Sequence, residues 1–166
     1  NPMGEKWSHI LMGEVLERAV KASGWKRNGA KKNRGWGIAL YDRGAPEGKA
    51  SSALTLELDG RVTILTGVPD VGPGYYTVSQ QIVSEVLGLL PQKVAVVFKD
   101  TDSLPFDPGT GGSKQTNTSA HAVHQSAREV REKLIALAAR ELGCKPEEIR
   151  QDGGKLIAPN KRSTTS

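Results

Sequence analysis

Cysteine is almost missing from this chain. Cys144 stands alone among 166 residues, which excludes an internal disulfide and a zinc site built on several thiolates. A lone thiol fits a reducing, cytoplasmic setting. No apolar run is long enough to cross a bilayer, and no charged-then-apolar leader opens the sequence. Repeats of solenoid length and low-complexity segments are absent too. The hydrophobic share of 37% and charged share of 25% are ordinary, so composition points to a globular domain with one core. The chain begins at Asn1 and enters a helical pattern almost at once, which reads as a piece of a longer polypeptide.

Positive charge is in modest excess, at +5. Part of it gathers in Lys26, Arg27, Lys31, Lys32 and Arg34, with Trp25 and Trp36 on either side. Two readings follow. A basic module could bind nucleic acid or another polyanion through the 26–34 loop. Alternatively this is a solvated loop, because Asn28, Gly29 and Asn33 interrupt any regular face.

The chain shows elements in alternation. Val15, Leu16, Ala19 and Val20 recur at helical spacing, and Gly24 is placed to stop that helix. Gly37–Tyr41 reads as a buried strand. Leu54, Leu56 and Leu58 alternate with Thr55, Glu57 and Asp59, and Asp59-Gly60 predicts a two-residue turn into a returning strand through Val62 and Ile64. Thr77 and Gln80 match a capping box ahead of a helix with Val78, Ile82, Val83 and Val86 on one face, ended by Gly88. Val94–Phe98 is a continuous apolar run, typical of a covered strand. A later helix carries Val123, Ala127, Val130, Leu134, Leu137 and Ala138 on one face and stops at Gly143. Pro146–Glu148 suggests a short helical turn, and Lys155–Ala158 a last strand. The pattern predicts an α+β fold, an antiparallel or mixed sheet packed with helices, over residues 1–160, with a flexible tail at 161–166.

Two glycine-rich turns each lead into a helix. The first is Asp70-Val71-Gly72-Pro73-Gly74 and the second Gly109-Thr110-Gly111-Gly112-Ser113. Glycine lets the backbone approach a ligand that a side chain would push away, and the free amides of a helix start favour an anion. Gly72 and Gly74 are candidates on that ground, although Pro73 contributes no amide proton. The second turn adds hydroxyls, an amide and a cation from Thr110, Ser113, Lys114, Gln115 and Thr116. Its order, Gly112-Ser113-Lys114-Gln115, breaks the Gly-Lys-Ser/Thr sequence of a nucleotide-hydrolase phosphate loop. A plain connecting role for both turns is the alternative.

Other candidates are weaker. His121 and His124 lie three apart on a helix but have no third ligand at suitable spacing. Asp100 and Asp102 suit either magnesium beside a phosphate or the capping of their own loop. Cys144 follows a helix stop and reads as a small packed hydrophobe. No Ser-His-Asp set and no paired carboxylates are evident. Neither a catalytic residue nor a protein ligand to metal is therefore assigned.

Taken together, these segments resemble the molybdenum-cofactor-binding large subunit of the xanthine dehydrogenase and aldehyde oxidase family. The likeness runs from Thr66-Gly67-Val68-Pro69-Asp70-Val71-Gly72-Pro73-Gly74-Tyr75-Tyr76-Thr77 to the helix end Glu85-Val86-Leu87-Gly88. It resumes at Asp100-Thr101-Asp102 and Pro108-Gly109-Thr110-Gly111-Gly112-Ser113. Gly24-Trp25 and the Arg34–Ala39 stretch resemble the family's lead-in.

The resemblance implies molybdopterin, often carried as a dinucleotide (the cytosine form among them), whose dithiolene sulfurs hold the molybdenum. It implies oxidative hydroxylation of an aldehyde or N-heterocycle by the complete subunit. Iron–sulfur clusters and FAD would reside on partner domains or subunits. By position, Gly72, Pro73, Gly74 and Thr77 would lie along the pterin and its phosphates. Thr110, Gly111, Gly112, Ser113, Lys114 and Gln115 would form the second wall, with Gly111–Ser113 nearest the molybdenum. Two departures stand out. The xanthine dehydrogenase branch commonly has glutamine where Pro73 stands. The family's catalytic glutamate belongs to a later glycine-rich segment, so the resemblance implies no turnover by this chain alone.

Overall fold

The computed structural model describes residues 11–25, 32–41, 48–107, 109–160 and 163–165. The chain divides into two compact units, residues 1–43 and 44–166.

In the first unit, α1 (Met12–Ser23) forms as the spacing requires and ends on Gly24, whose φ of 66° is the left-handed cap that glycine favours. The expected strand at Gly37–Tyr41 does not form, and residues 32–41 have no regular structure. Trp36, Ile38, Leu40 and Tyr41 are all exposed. A strand needs a partner to satisfy its amides, and no described strand pairs with this segment.

The second unit is built around a three-stranded mixed sheet in the order β1-β2-β3. β1 (Ala53–Leu56) pairs antiparallel with β2 (Val62–Leu65), with Leu56 opposite Val62. Their connection is one residue longer than the expected two. Glu57 N–H donates to the Arg61 carbonyl at 2.8 Å, so Leu58, Asp59 and Gly60 form a three-residue loop with Gly60 at φ 78°. Leu58 therefore sits fully exposed in the turn and not on the strand face.

After β2 the chain passes through the first glycine turn into α2 (Tyr75–Leu87) and returns as β3 (Val94–Val97), parallel to β2. The period-two pattern holds along and beyond β2, where Val62, Ile64, Thr66 and Val68 are wholly buried. They meet Tyr75, Val83 and Leu87 of α2 and Val123 and Ala127 of α3 (Ala120–Leu142). Each buried aliphatic side chain contributes about 1.5–3 kcal/mol. β3 is less covered than its apolar run suggests, since Ala95 and Phe98 are exposed. It pairs with β2 alone, and so lies at the edge of this sheet.

The far end of α3 carries a smaller core. Ala138 and Leu142 pack with Leu156 and Ala158, and Cys144 is packed against them. Leu137 turns away and is exposed. β4 (Arg150–Asp152), β5 (Lys155–Ile157) and β6 (Ser163–Thr165) form a second, antiparallel sheet. The anticipated tail is thus partly a strand, with Leu156 opposite Thr164. Lys161, Arg162 and Ser166 lie outside the described residues.

Candidate functional site

The first turn is organised by a residue that the glycine pattern did not single out. One carboxylate oxygen of Asp70 accepts hydrogen bonds from the amides of Gly72 at 3.0 Å and Gly74 at 3.2 Å. The other accepts from the Tyr76 amide at 3.3 Å. The Gly72 amide, followed by those of Tyr76 and Gly74, holds the Asp70 carboxyl below its ordinary pKa. The amides expected to be free at this helix start are thus held by the protein's own anion. Gly72 and Gly74, at φ 111° and 80°, adopt backbone angles that suit glycine.

The capping box does not form. α2 starts at Tyr75 with Gly74 at its N-cap, three residues before the expected cap at Thr77, and its first amides go to Asp70 instead. Thr77 is therefore inside the helix and exposed. Gln80 turns to β3 and donates through Nε2 to the Val94 carbonyl at 2.8 Å.

The second turn repeats the device. Asp107 Oδ1 accepts from the Gly109 amide at 2.8 Å, and Oδ2 accepts from the Ser119 hydroxyl at 3.3 Å, so one carboxylate braces both ends of the loop. Gly67, just after β2, lies against this brace. A Cβ there would come 3.1 Å from the Pro105 carbonyl and 3.3 Å from Asp107 Cβ. Between the two braced ends, Gly112 and Ser113 both adopt positive φ, 58° and 66°. For serine that conformation is uncommon and persists where surrounding contacts impose it. A π-helical turn, Gln115–Ser119, then leads into α3. Such turns occur often at functional sites.

The two turns meet. The Pro69 carbonyl accepts from Gln115 Nε2 at 2.8 Å and from the Thr110 hydroxyl at 3.2 Å, and Gln115 Nε2 also donates to Thr110 Oγ1 at 3.1 Å. Gln115 is only 5% exposed, and its Oε1 has no hydrogen-bond partner. Around this junction Gly72, Pro73, Gly111 and Ser113 are exposed, while Gly74, Thr110, Gly112 and Lys114 are half-buried. The Tyr75 phenol, at the start of α2, is buried. Burial raises its pKa, opposed by the neighbouring hydroxyls of Thr66 and Ser79.

Asp100 accepts the Asp102 amide at 3.2 Å, which is the loop-capping role. His121 and His124 are both exposed on α3. No group of three His, Cys, Asp or Glu side chains able to hold a metal occurs among the described residues. Lys26, Arg27 and Lys31 lie outside the described residues, whereas Lys32 and Arg34 are exposed. The braces themselves had a sequence signal in the Asp-x-Gly spacing of Asp70–Gly72 and Asp107–Gly109, which is that of an Asx turn.

A mixed sheet with a parallel β-α-β unit, and two glycine turns linked through Pro69, make an α+β domain. Residues 14–166 match the molybdopterin cofactor-binding domain family, and the chain belongs to that family. It is 31% identical over 91% of its length to the aldehyde oxidoreductase molybdenum-binding subunit PaoC of Escherichia coli, covering 21% of that protein. It is 32% identical over 84% of its length to the putative xanthine dehydrogenase molybdenum-binding subunit XdhA of the same organism, covering 20%. Among solved structures, reconstituted CO dehydrogenase from Oligotropha carboxidovorans superposes with a TM-score of 0.64 at 26% identity. That match covers 70% of this chain and 15% of the other. The chain thus spans about a fifth of the curated relatives it matches.

Proposed function

We propose that this chain supplies two walls of a molybdopterin site within a larger molybdenum hydroxylase subunit. The complete subunit would oxidatively hydroxylate an aldehyde or N-heterocycle. The observation that carries this reading is the junction at Pro69, where Thr110 and Gln115 hold the two glycine turns side by side. Gly72, Pro73, Gly74 and Thr77 would form one wall. Thr110, Gly111, Gly112, Ser113, Lys114 and Gln115 would form the other.

The residues suit such a guest. Glycine backbone admits close approach, Ser113 and Lys114 offer a hydroxyl and a cation, and the buried Gln115 Oε1 has accepting capacity to spare. A metal arriving with its own dithiolene ligands asks the protein for no cluster of His, Cys or carboxylates. When bound, that group supplies the redox centre for oxygen insertion. The chain's own part is to hold and orient it. The general base that this chemistry needs would come from elsewhere in the subunit, iron–sulfur and flavin partners would carry electrons away, and the assembly would be cytoplasmic. A dinucleotide form of the cofactor is part of this reading.

Gly111 provides the test. Its backbone angle is ordinary, and no atom lies within 4 Å of the position a Cβ would take. Gly111→Leu in the complete subunit is expected to leave folding intact while lowering molybdenum and pterin content per subunit. Unchanged cofactor content in a folded variant would overturn the assignment.

A further inference from the structure

We propose that Asp70 is a specificity-determining residue that closes the first turn to anions, so that this wall takes an uncharged part of the bound ligand and not its phosphate. The inference rests on the two-walled site above and deepens it. A glycine turn opening a helix ordinarily attracts phosphate, because its amides point outward unpaired and the helix dipole adds positive potential. Here the amides of Gly72, Gly74 and Tyr76 all donate to Asp70, at 3.0–3.3 Å. A full negative charge therefore occupies the place where a phosphate oxygen would sit. A second anion would have to displace that carboxylate or lie beside it, and like charges in contact are strongly unfavourable.

Pro73 adds to the effect, since it interrupts the turn with a residue that has no amide proton. The second turn differs. Asp107 accepts one amide, that of Gly109, and its other oxygen is held by Ser119, leaving Gly111–Lys114 outside the brace. The two walls are thereby unlike in charge despite their similar glycine patterns. One has its helix start neutralised by the protein, and the other keeps exposed backbone next to a lysine.

Amide chemical shifts of the complete, cofactor-free subunit, isotope-labelled at glycine and tyrosine and followed while inorganic pyrophosphate is added, give a direct test. Asp70→Asn keeps a side-chain oxygen able to cap an amide but removes the charge. In the wild type the Gly72, Gly74 and Tyr76 amides are expected to stay still. In D70N they should respond, with apparent affinity at least ~10-fold higher. Movement of those amides in the wild type, or the same behaviour in both proteins, would overturn the proposal. Pyrophosphate replaces the cofactor in this experiment, so its outcome is separate from whether the complete subunit retains molybdenum.

Discussion

The amide of Gln115 donates to the carbonyl of Pro69 at 2.8 Å, joining positions 46 residues apart. That contact holds the start of the π-helical turn against the end of the segment that follows β2. Gln115 is buried and Pro69 half-buried, so the contact is partly shielded from water. Gln115→Ala should destabilise the second unit by about 0.5–1.5 kcal/mol, the usual net worth of a hydrogen bond, because the Thr110 hydroxyl still donates to the Pro69 carbonyl. Urea unfolding of wild type and variant measures it. A change below about 0.5 kcal/mol, the range of ordinary surface substitutions, would show that the junction contributes little to stability.

Gly67 and Gly111 should respond in opposite ways to alanine. A methyl group at Gly67 would press on the Pro105 carbonyl at 3.1 Å and Asp107 Cβ at 3.3 Å, and backbone at that position cannot step aside cheaply. Overpacking of this kind costs about 1–3 kcal/mol. At Gly111 the same methyl meets open space, and the backbone is unstrained. We expect G67A to lower the thermal midpoint while G111A leaves it unchanged or slightly raised. Equal midpoints for the two variants would mean that the Pro105–Asp107 segment yields freely.

Asp70 sets a pH dependence with a definite sign. Its carboxyl is held below the ordinary value, first by the Gly72 amide and then by those of Tyr76 and Gly74. A depressed folded-state pKa means that the unfolded chain takes up its proton first as the pH falls. The stabilisation is therefore complete above the ordinary carboxylate range, near pH 4, and is lost as the pH drops on through the folded-state value. The wild type should exceed D70N in thermal midpoint at neutral pH, and the gap should close on acidification. A gap that stays constant down to about pH 2 would exclude the carboxylate charge as its source.

Local signals carried most of what the sequence revealed. The Leu54/Leu56 alternation, the glycine stops at Gly24, Gly88 and Gly143, and the two glycine turns all depend on residues within one element, and each is present. Their meeting at Pro69 was legible only through family resemblance, because nothing local links positions 69 and 115. The misses share the same origin. Gly37–Tyr41 has the residues of a strand but no described neighbour to pair with. Thr77 and Gln80 have the letters of a capping box, yet Asp70 already holds the amides of the turn and Gln80 reaches β3 instead. Ser163–Thr165 is polar throughout and becomes a strand because β5 offers an edge.

The glycine that ends α2 should prove the least replaceable of the three helix caps. Gly24, Gly88 and Gly143 all adopt left-handed angles, at φ 66–68°, so alanine at any of them costs about 1–2 kcal/mol from the backbone alone. Only at Gly88 would the added Cβ also strike a neighbour, with Gln151 Nε2 at 2.8 Å and the Gly154 amide nitrogen at 3.2 Å. A flexible side chain would ordinarily move away. Gln151 is fixed at both ends, donating to the Val86 carbonyl at 3.3 Å and accepting from Arg131 Nε at 2.6 Å. Displacing it would break the link between α2, α3 and the β4–β6 sheet. G88A is therefore expected to lower the thermal midpoint well beyond G143A, with the difference shrinking when Gln151→Ala is introduced alongside it. If G88A and G143A prove equally destabilising, Gln151 is free to move and does not tie the second sheet to α2.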